Sequence, residues 1–406
     1  MIIRTALGAM LITSATAASA QAGAAAGERR LDIRPSVQLV YDDNVFRAPE
    51  SFDLGNRSRD DMRVTPGVVA DIAVPVGRQT LFLNGSVGYD FFANNSQLDR
   101  ERIGLSGGAN LRARSCSSTI TGRYNRQQTD FANIFATVAI PNVDERRVFD
   151  VQLQCAGAVG LAPSVGFTRS VVRNSSTLFQ PLDVNSNTFT AAVGYQRPSF
   201  GLLSLYGTYS TAEFPNRRFL LPGETDPVTD GIDSYSVGVS FERQIGSRIT
   251  GSLSFGHTWV NPKLDQTVEF TGLSYSAGID LRPGDALLLN LTAARTIDVQ
   301  NIVAASYAIT DLFSLAGTYQ FSQRMSLNFG SRYQERRFRA APQLEGLPGF
   351  LLVPDDQLIS ATIGLGYDIG DRLRLTTGFT QERRKSDLNF FNFNNTRLEA
   401  GLSLQL

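Results

Sequence analysis

From about residue 33 to the end, apolar and polar residues alternate with a period of two. Leu81, Leu83, Gly85, Val87, Tyr89 and Phe91 interleave with Phe82, Asn84, Ser86, Gly88 and Asp90. Ile359, Ala361, Ile363, Leu365, Tyr367 and Ile369 interleave with Ser360, Thr362, Gly364, Gly366 and Asp368. A strand places successive side chains on opposite faces, so this alternation predicts strands with one apolar and one polar face. Helical spacing is nearly absent. Eighteen such segments start near residues 35, 62, 79, 101, 116, 143, 163, 186, 201, 232, 248, 268, 285, 302, 324, 356, 372 and 394.

The connections alternate between short and long. Val76-Gly77-Arg78, Arg114-Ser115 and Gly370-Asp371 are among the short ones, while 48–61, 131–142, 175–185, 213–231 and 339–355 are long. The short connection around Val299-Gln300 breaks the rhythm. Short turns on one rim and long loops on the other describe an outer-membrane barrel, with the short turns and both termini facing the periplasm. A soluble sandwich would bury its apolar faces against each other, and eighteen exceed what two sheets need. In lipid an open sheet edge leaves N–H and C=O groups unpaired, so the sheet must close. The sequence therefore predicts an all-β fold: a closed antiparallel transmembrane β-barrel of about 18 strands, with 16–18 allowed by the segmentation.

Aromatic positions agree with a bilayer slab. Tyr195, Phe241, Phe321 and Tyr367 fall just before short turns, and Tyr89, Phe91, Tyr124, Tyr209, Trp259 and Tyr333 fall toward long loops. Two such rings match interfacial girdles. Leu398, Ala400, Leu402, Leu404 and Leu406 share one face of the last strand, in the position of the C-terminal assembly signal of outer-membrane proteins, with Leu406 in place of the usual aromatic.

Composition then removes alternatives. The 406 residues are 42% hydrophobic and 19% charged with zero formal charge, which excludes disorder and gives no basic field for nucleic acid. Only Lys263 and Lys385 are lysines, leaving 38 − 2 = 36 arginines. One His and two Cys leave little for a metal centre, and no cofactor or metal is expected. No phosphate loop or dinucleotide fingerprint is present. His257 shares a face with Leu253, Phe255 and Trp259, which suits a girdle better than a catalytic triad, and no enzyme is expected. At the start, Arg4, the apolar stretch from Ala6 to about Ala15 and Ala18-Ser19-Ala20 read as a signal peptide cleaved after Ala20. The expected organisation is a signal peptide over 1–20, a flexible leader over 21–32 and the barrel over 33–406.

Parity assigns the polar face to the lumen. Its candidates are Arg63, Arg102, Arg112, Arg123, Arg332, Arg374, Arg397, Asp90, Asp368 and Glu382, joined by Asp71, Asn84, Asn110, Ser240, Glu242, Asn290 and Glu399. Side chains cannot fill a barrel this wide, so a water-filled interior is expected. Two loops carry apolar runs, Phe219-Leu220-Leu221-Pro222 and Phe350-Leu351-Leu352-Val353-Pro354, and are expected to form a constriction or to pack on a neighbouring loop. Cys116 and Cys155 face each other if the hairpin pairs residues whose numbers sum to about 271, and an oxidising periplasm predicts a cross-strand disulfide. Asp42-Asp43-Asn44 reads as a strand-to-loop transition.

The stretch Pro35-Ser36-Val37-Gln38-Leu39-Val40-Tyr41-Asp42-Asp43-Asn44-Val45-Phe46-Arg47 resembles the opening signature of an outer-membrane family described as "putative β-barrel porin 2". The resemblance implies an outer-membrane barrel associated with exopolysaccharide or capsule export, and it brings no catalytic residues. The function expected on this basis is a passage for an exported polysaccharide. A diffusion porin for small hydrophilic solutes and a non-transporting structural barrel are the alternatives. Expected partners are outer-membrane lipid, the barrel-assembly machinery, polysaccharide and periplasmic export components.

Overall fold

A computed structural model describes residues 29–129, 141–219, 225–264, 267–298, 307–339 and 355–405. The expected signal peptide and most of the expected leader lie outside them. Eighteen strands follow one another: β1 (Arg30–Asp42), β2 (Asp61–Val76), β3 (Gln79–Phe92), β4 (Arg100–Ala113), β5 (Cys116–Gln128), β6 (Val143–Cys155), β7 (Gly160–Asn174), β8 (Val184–Arg197) and β9 (Gly201–Phe219) in the first half. The second half holds β10 (Val228–Ile245), β11 (Ile249–Pro262), β12 (Phe270–Leu281), β13 (Leu287–Asp298), β14 (Tyr307–Gln320), β15 (Met325–Arg339), β16 (Asp356–Ile369), β17 (Leu373–Ser386) and β18 (Phe393–Leu404). Every sequential pair is antiparallel, and β1 pairs both with β2 and with β18, so the sheet has no edge. The seam runs from Ser36 opposite Ser403 to Asp42 opposite Arg397.

The strands start within about five residues of the positions that the alternation predicts. Two boundaries differ. β1 already begins at Arg30 and pairs through Arg30 opposite Ala73, so the leader ends earlier than residue 32. The long loop expected over 213–231 is largely sheet, because β9 runs to Phe219 and β10 starts at Val228. β9 and β10 stay paired out to Phe219 opposite Val228, past an irregularity between Thr229 and Gly231.

Burial follows the period of two. Along β1 the exposed residues Leu31, Ile33, Val37, Leu39 and Tyr41 all point outward. An apolar surface open on the outside is what a lipid-facing barrel requires, since lipid takes the place of a core. Tyr195, Phe321 and Tyr367 stay exposed near the short turns, and Tyr89, Phe91, Tyr235 and Trp259 near the long connections. His257 sits in the second belt, edge-on to Trp259 at 4.6 Å between ring centroids. Cys116 lies opposite Cys155, and the two form a disulfide joining β5 to β6 beside the periplasmic rim.

Leu365 and Thr362 separate the two faces on one strand. Leu365 faces out opposite Leu327, and Thr362 faces in opposite Gly330. Leu365→Arg should cost about 2–4 kcal/mol if the site lies near the bilayer midplane, and Thr362→Arg markedly less. Unfolding of both variants from lipid vesicles checks this; equal losses would contradict the assignment of faces. Gly364 also faces in but is no substitute, because a Cβ there would lie 2.9 Å from the Thr377 carbonyl oxygen.

Candidate functional site: the lumen and its extracellular mouth

The inward residues divide into two kinds of wall. From β7 to β12 they are mostly small and hydroxylated, and neighbouring hydroxyls bond across strands: Thr188 with Ser210 at 2.9 Å, Thr258 with Ser274 at 2.9 Å and Ser254 with Ser276 at 3.0 Å. Tyr206 leans inward across this wall over Gly238 and Gly256, where an added Cβ would come within 2.6 Å of its hydroxyl. From β15 through the seam to β5, the wall is charged.

In the charged wall, one carboxylate is shared by two arginines from neighbouring strands. Asp90 on β3 accepts from Arg102 on β4 through Nε and Nη2 at 3.1 and 2.8 Å, and from the Thr65 hydroxyl at 2.6 Å. Arg63 on β2 approaches it at 3.6 Å. Asp356 on β16 accepts from Arg336 on β15 at 2.8 and 2.6 Å and meets Arg384 on β17 at 2.6 Å. The Asp90 and Asp356 side chains are 1% and 0% exposed, so each buried charge depends on its partners. Each unit keeps a net positive charge.

Between these units the chain leaving β1 turns inward. Arg47 is one of two non-glycine residues with positive φ among the described residues, at 53°. Such a backbone costs on the order of 1–3 kcal/mol and persists only where its surroundings fix it. Here they do. Arg47 Nη1 donates to both Asp42 carboxylate oxygens at 3.0 Å and to Asn395 Oδ1 at 3.0 Å, and Nε lies 3.3 Å from Glu382. Asp42, Glu382 and Asn395 all have inward parity on β1, β17 and β18. Asn44 locks the same turn. Its Nδ2 donates to the carbonyls of Ala48 and Asn394, and its Oδ1 accepts from Ala48 N–H. Asp43 extends the seam by accepting from Thr396 N–H at 2.7 Å while its own N–H donates to Thr396 O.

Behind this turn, Phe46, Ala48 and Leu98 form a buried apolar knot, flanked by Val45, Phe52, Leu54 and Phe92. Phe92 has inward parity opposite Arg63, so the knot sits on the luminal side. The first extracellular loop is thus anchored inside the mouth by ion pairs at one end and apolar contact at the other. A cavity of about 90 Å³ remains between it and the wall, bounded by Arg47, Arg63, Arg102 and Arg397 among others. Both polar atoms of the Gln128 amide beside it are buried without a partner among the described residues.

The other candidates are spread over the lumen. Arg397 pairs with Glu399 at 2.7 Å, Arg374 with Asp368 at 3.1 Å, and Arg332 donates to Gln334. Arg112 and Arg123 are exposed to the lumen. Asp368 lies opposite Arg374, eight residues along β17 from Glu382, or about 27 Å at 3.3–3.4 Å per residue. That is far beyond the spacing of a glycosidase carboxylate pair. Of the apolar runs, Leu220, Leu221, Phe350, Leu351 and Leu352 lie outside the described residues, and Phe219 ends β9 rather than lying in a loop. Arg47, Arg336, Asp356, Arg384 and Asn395 were not among the sequence candidates. Parity on β15 and β17 would have placed Arg336 and Arg384 inside, beside Arg332 and Glu382.

A closed barrel of eighteen strands with a polar lumen and a lipid-facing exterior defines an outer-membrane β-barrel porin. A family model described as "Putative beta-barrel porin 2" matches residues 223–406, from just before β10 to the C-terminus. The match lies beyond the Tyr41–Arg47 stretch that carries the resemblance at the N-terminal end. No curated protein matches the sequence. Among solved structures, the chain is similar to Pseudomonas aeruginosa OccK2 (OpdF), with 13% identity and a TM-score of 0.46 over 93% of this chain and 98% of that one. The same protein in complex with glucuronate gives 14% identity and a TM-score of 0.46 at the same coverage. A BenF-like porin from Pseudomonas fluorescens Pf-5 gives 10% and 0.46, over 93% of this chain and 99% of that one.

Asp90→Asn removes the buried counter-charge shared by the partly buried guanidinium groups of Arg63 and Arg102 and should destabilise the barrel by about 3–5 kcal/mol. Asp368→Asn breaks a half-exposed pair and should cost under about 1 kcal/mol. Chemical unfolding of the two variants tests the ranking, and a reversed order would show that the Asp90 unit does not hold the wall.

Proposed function

We propose that this porin is a passive diffusion channel for small hydrophilic solutes. The observation that carries this reading is the first extracellular loop, anchored inside the mouth by Arg47 on Asp42, Glu382 and Asn395. A loop held there narrows the passage that an eighteen-stranded barrel would otherwise leave open. The walls below suit hydrated solutes. Hydroxyls on β7–β12 and arginine–carboxylate pairs on the opposite side exchange hydrogen bonds with a passing molecule without binding it tightly. In this reading the chain reaches the outer membrane after cleavage behind Ala20 and is inserted by the barrel-assembly machinery.

Export of a polysaccharide, the function the resemblance implies, would need this loop to withdraw and its ion pairs to break for each passing chain. The smaller cargo needs no such movement.

Swelling of proteoliposomes tests the proposal. Glucose and sucrose should enter and swell the vesicles, while a dextran of polymer size should not. Entry of dextran as fast as glucose would favour a polymer passage. Absence of swelling with every solute would favour a barrel without flux.

A further inference from the structure

We infer that the outer surface of β5–β7, one row above the extracellular aromatic belt, binds the phosphate of a lipid headgroup. This goes beyond the solute passage and does not depend on what crosses the lumen.

Three arginines on successive strands share outward parity. Arg126 lies opposite Glu145, Arg147 opposite Tyr124 and Val171, and Arg169 opposite Phe149 and Asn187. Arg147 and Arg169 are diagonal neighbours across one strand pair, at a Cα separation of roughly 7–8 Å. Arg147 is 67% exposed, although Glu145 touches one side of it. Arg169 is exposed and has no ion pair among the described residues. Glu101 and Glu145 face the same way, but both are taken up by Arg126, at 2.5 and 3.1 Å. The row therefore keeps a net positive charge.

Directly beneath it the surface is apolar and aromatic. Phe149 is 47% exposed, and the Phe167 ring lies tilted against Phe189 at 4.8 Å between centroids. Guanidinium groups above and rings below match a lipid whose headgroup carries phosphate and whose chains run down the wall. Arg presents paired donors to phosphate oxygens, and cations at a membrane interface attract anionic headgroups. Soluble partners are excluded from the lower half of this surface by the bilayer.

A second outward cluster shows the contrast. On β13–β15, Arg295 and Arg337 both close on Asp311, at 2.7 and 2.6 Å, and the Tyr275 hydroxyl donates to the same carboxylate. Those cations already have an internal partner. The β5–β7 row leaves Arg169 and most of Arg147 for an external anion.

Native mass spectrometry of the detergent-purified full chain with added lipid A tests the site. The wild-type protein should retain bisphosphorylated lipid A in preference to its dephosphorylated form. Each of R147Q and R169Q should weaken retention about fivefold, the share of roughly one basic residue near an anionic lipid. Unboiled gel mobility confirms that each variant is folded, and Arg169, which supports no internal ion pair, is the variant least able to disturb the barrel. Equal wild-type retention of the two lipid forms would overturn the inference, needing no variant at all. So would full retention by a folded R147Q/R169Q double variant.

Discussion

The structure depends on one constraint: inside a bilayer, a backbone N–H or C=O has no water to turn to. Eighteen strands can meet it only by closing, and β1 meets it twice, on β2 and on β18. The rest follows from closure. With side chains alternating, every strand gives one face to lipid and one to water, so the inventory of the lumen is fixed by parity alone. Glycines fall where closure brings neighbours too near for a side chain, as at Gly238 beneath Tyr206.

Closure also creates a seam where the first and last strands meet, and the anchored loop at the mouth is built on it. Asp43 prolongs the β1–β18 ladder, Asn44 reaches the Asn394 carbonyl, and Arg47 bridges three strands with a backbone in the left-handed region. One short segment therefore both secures the seam and turns the following loop into the mouth. The two-arginine units at Asp90 and Asp356 flank it, so the charged wall and the anchored loop form one continuous site. The hydroxyl wall opposite offers hydrogen bonds without strong charge.

Much of this was legible from the chain. Alternation marked the strands, the short and long connections marked the rims, and hairpin arithmetic put Cys116 opposite Cys155. Hairpin partners are local, which is why they can be read. The site at the mouth is different. Arg47 meets Glu382 and Asn395, more than 330 residues away, and no local pattern announces a contact that exists only once the barrel has closed. The apolar runs drew attention to later loops, whereas the loop that the described structure holds inside follows an ordinary polar turn, Asp42-Asp43-Asn44. Its apolar residues Phe46, Phe52 and Leu54 are scattered rather than contiguous, so composition concealed them. Gly364 gives a smaller lesson: its luminal parity is readable, but the crowding against the Thr377 carbonyl is not.

The most direct test of the anchored mouth is single-channel conductance in planar bilayers, comparing wild type with Arg47→Ala. If Arg47 holds the first loop inside the lumen, its removal should release the loop and raise the conductance of each open channel, with Glu382→Gln shifting it in the same direction by less. An Arg47→Ala channel with the wild-type conductance would contradict the account, because the loop would then not be what narrows the passage.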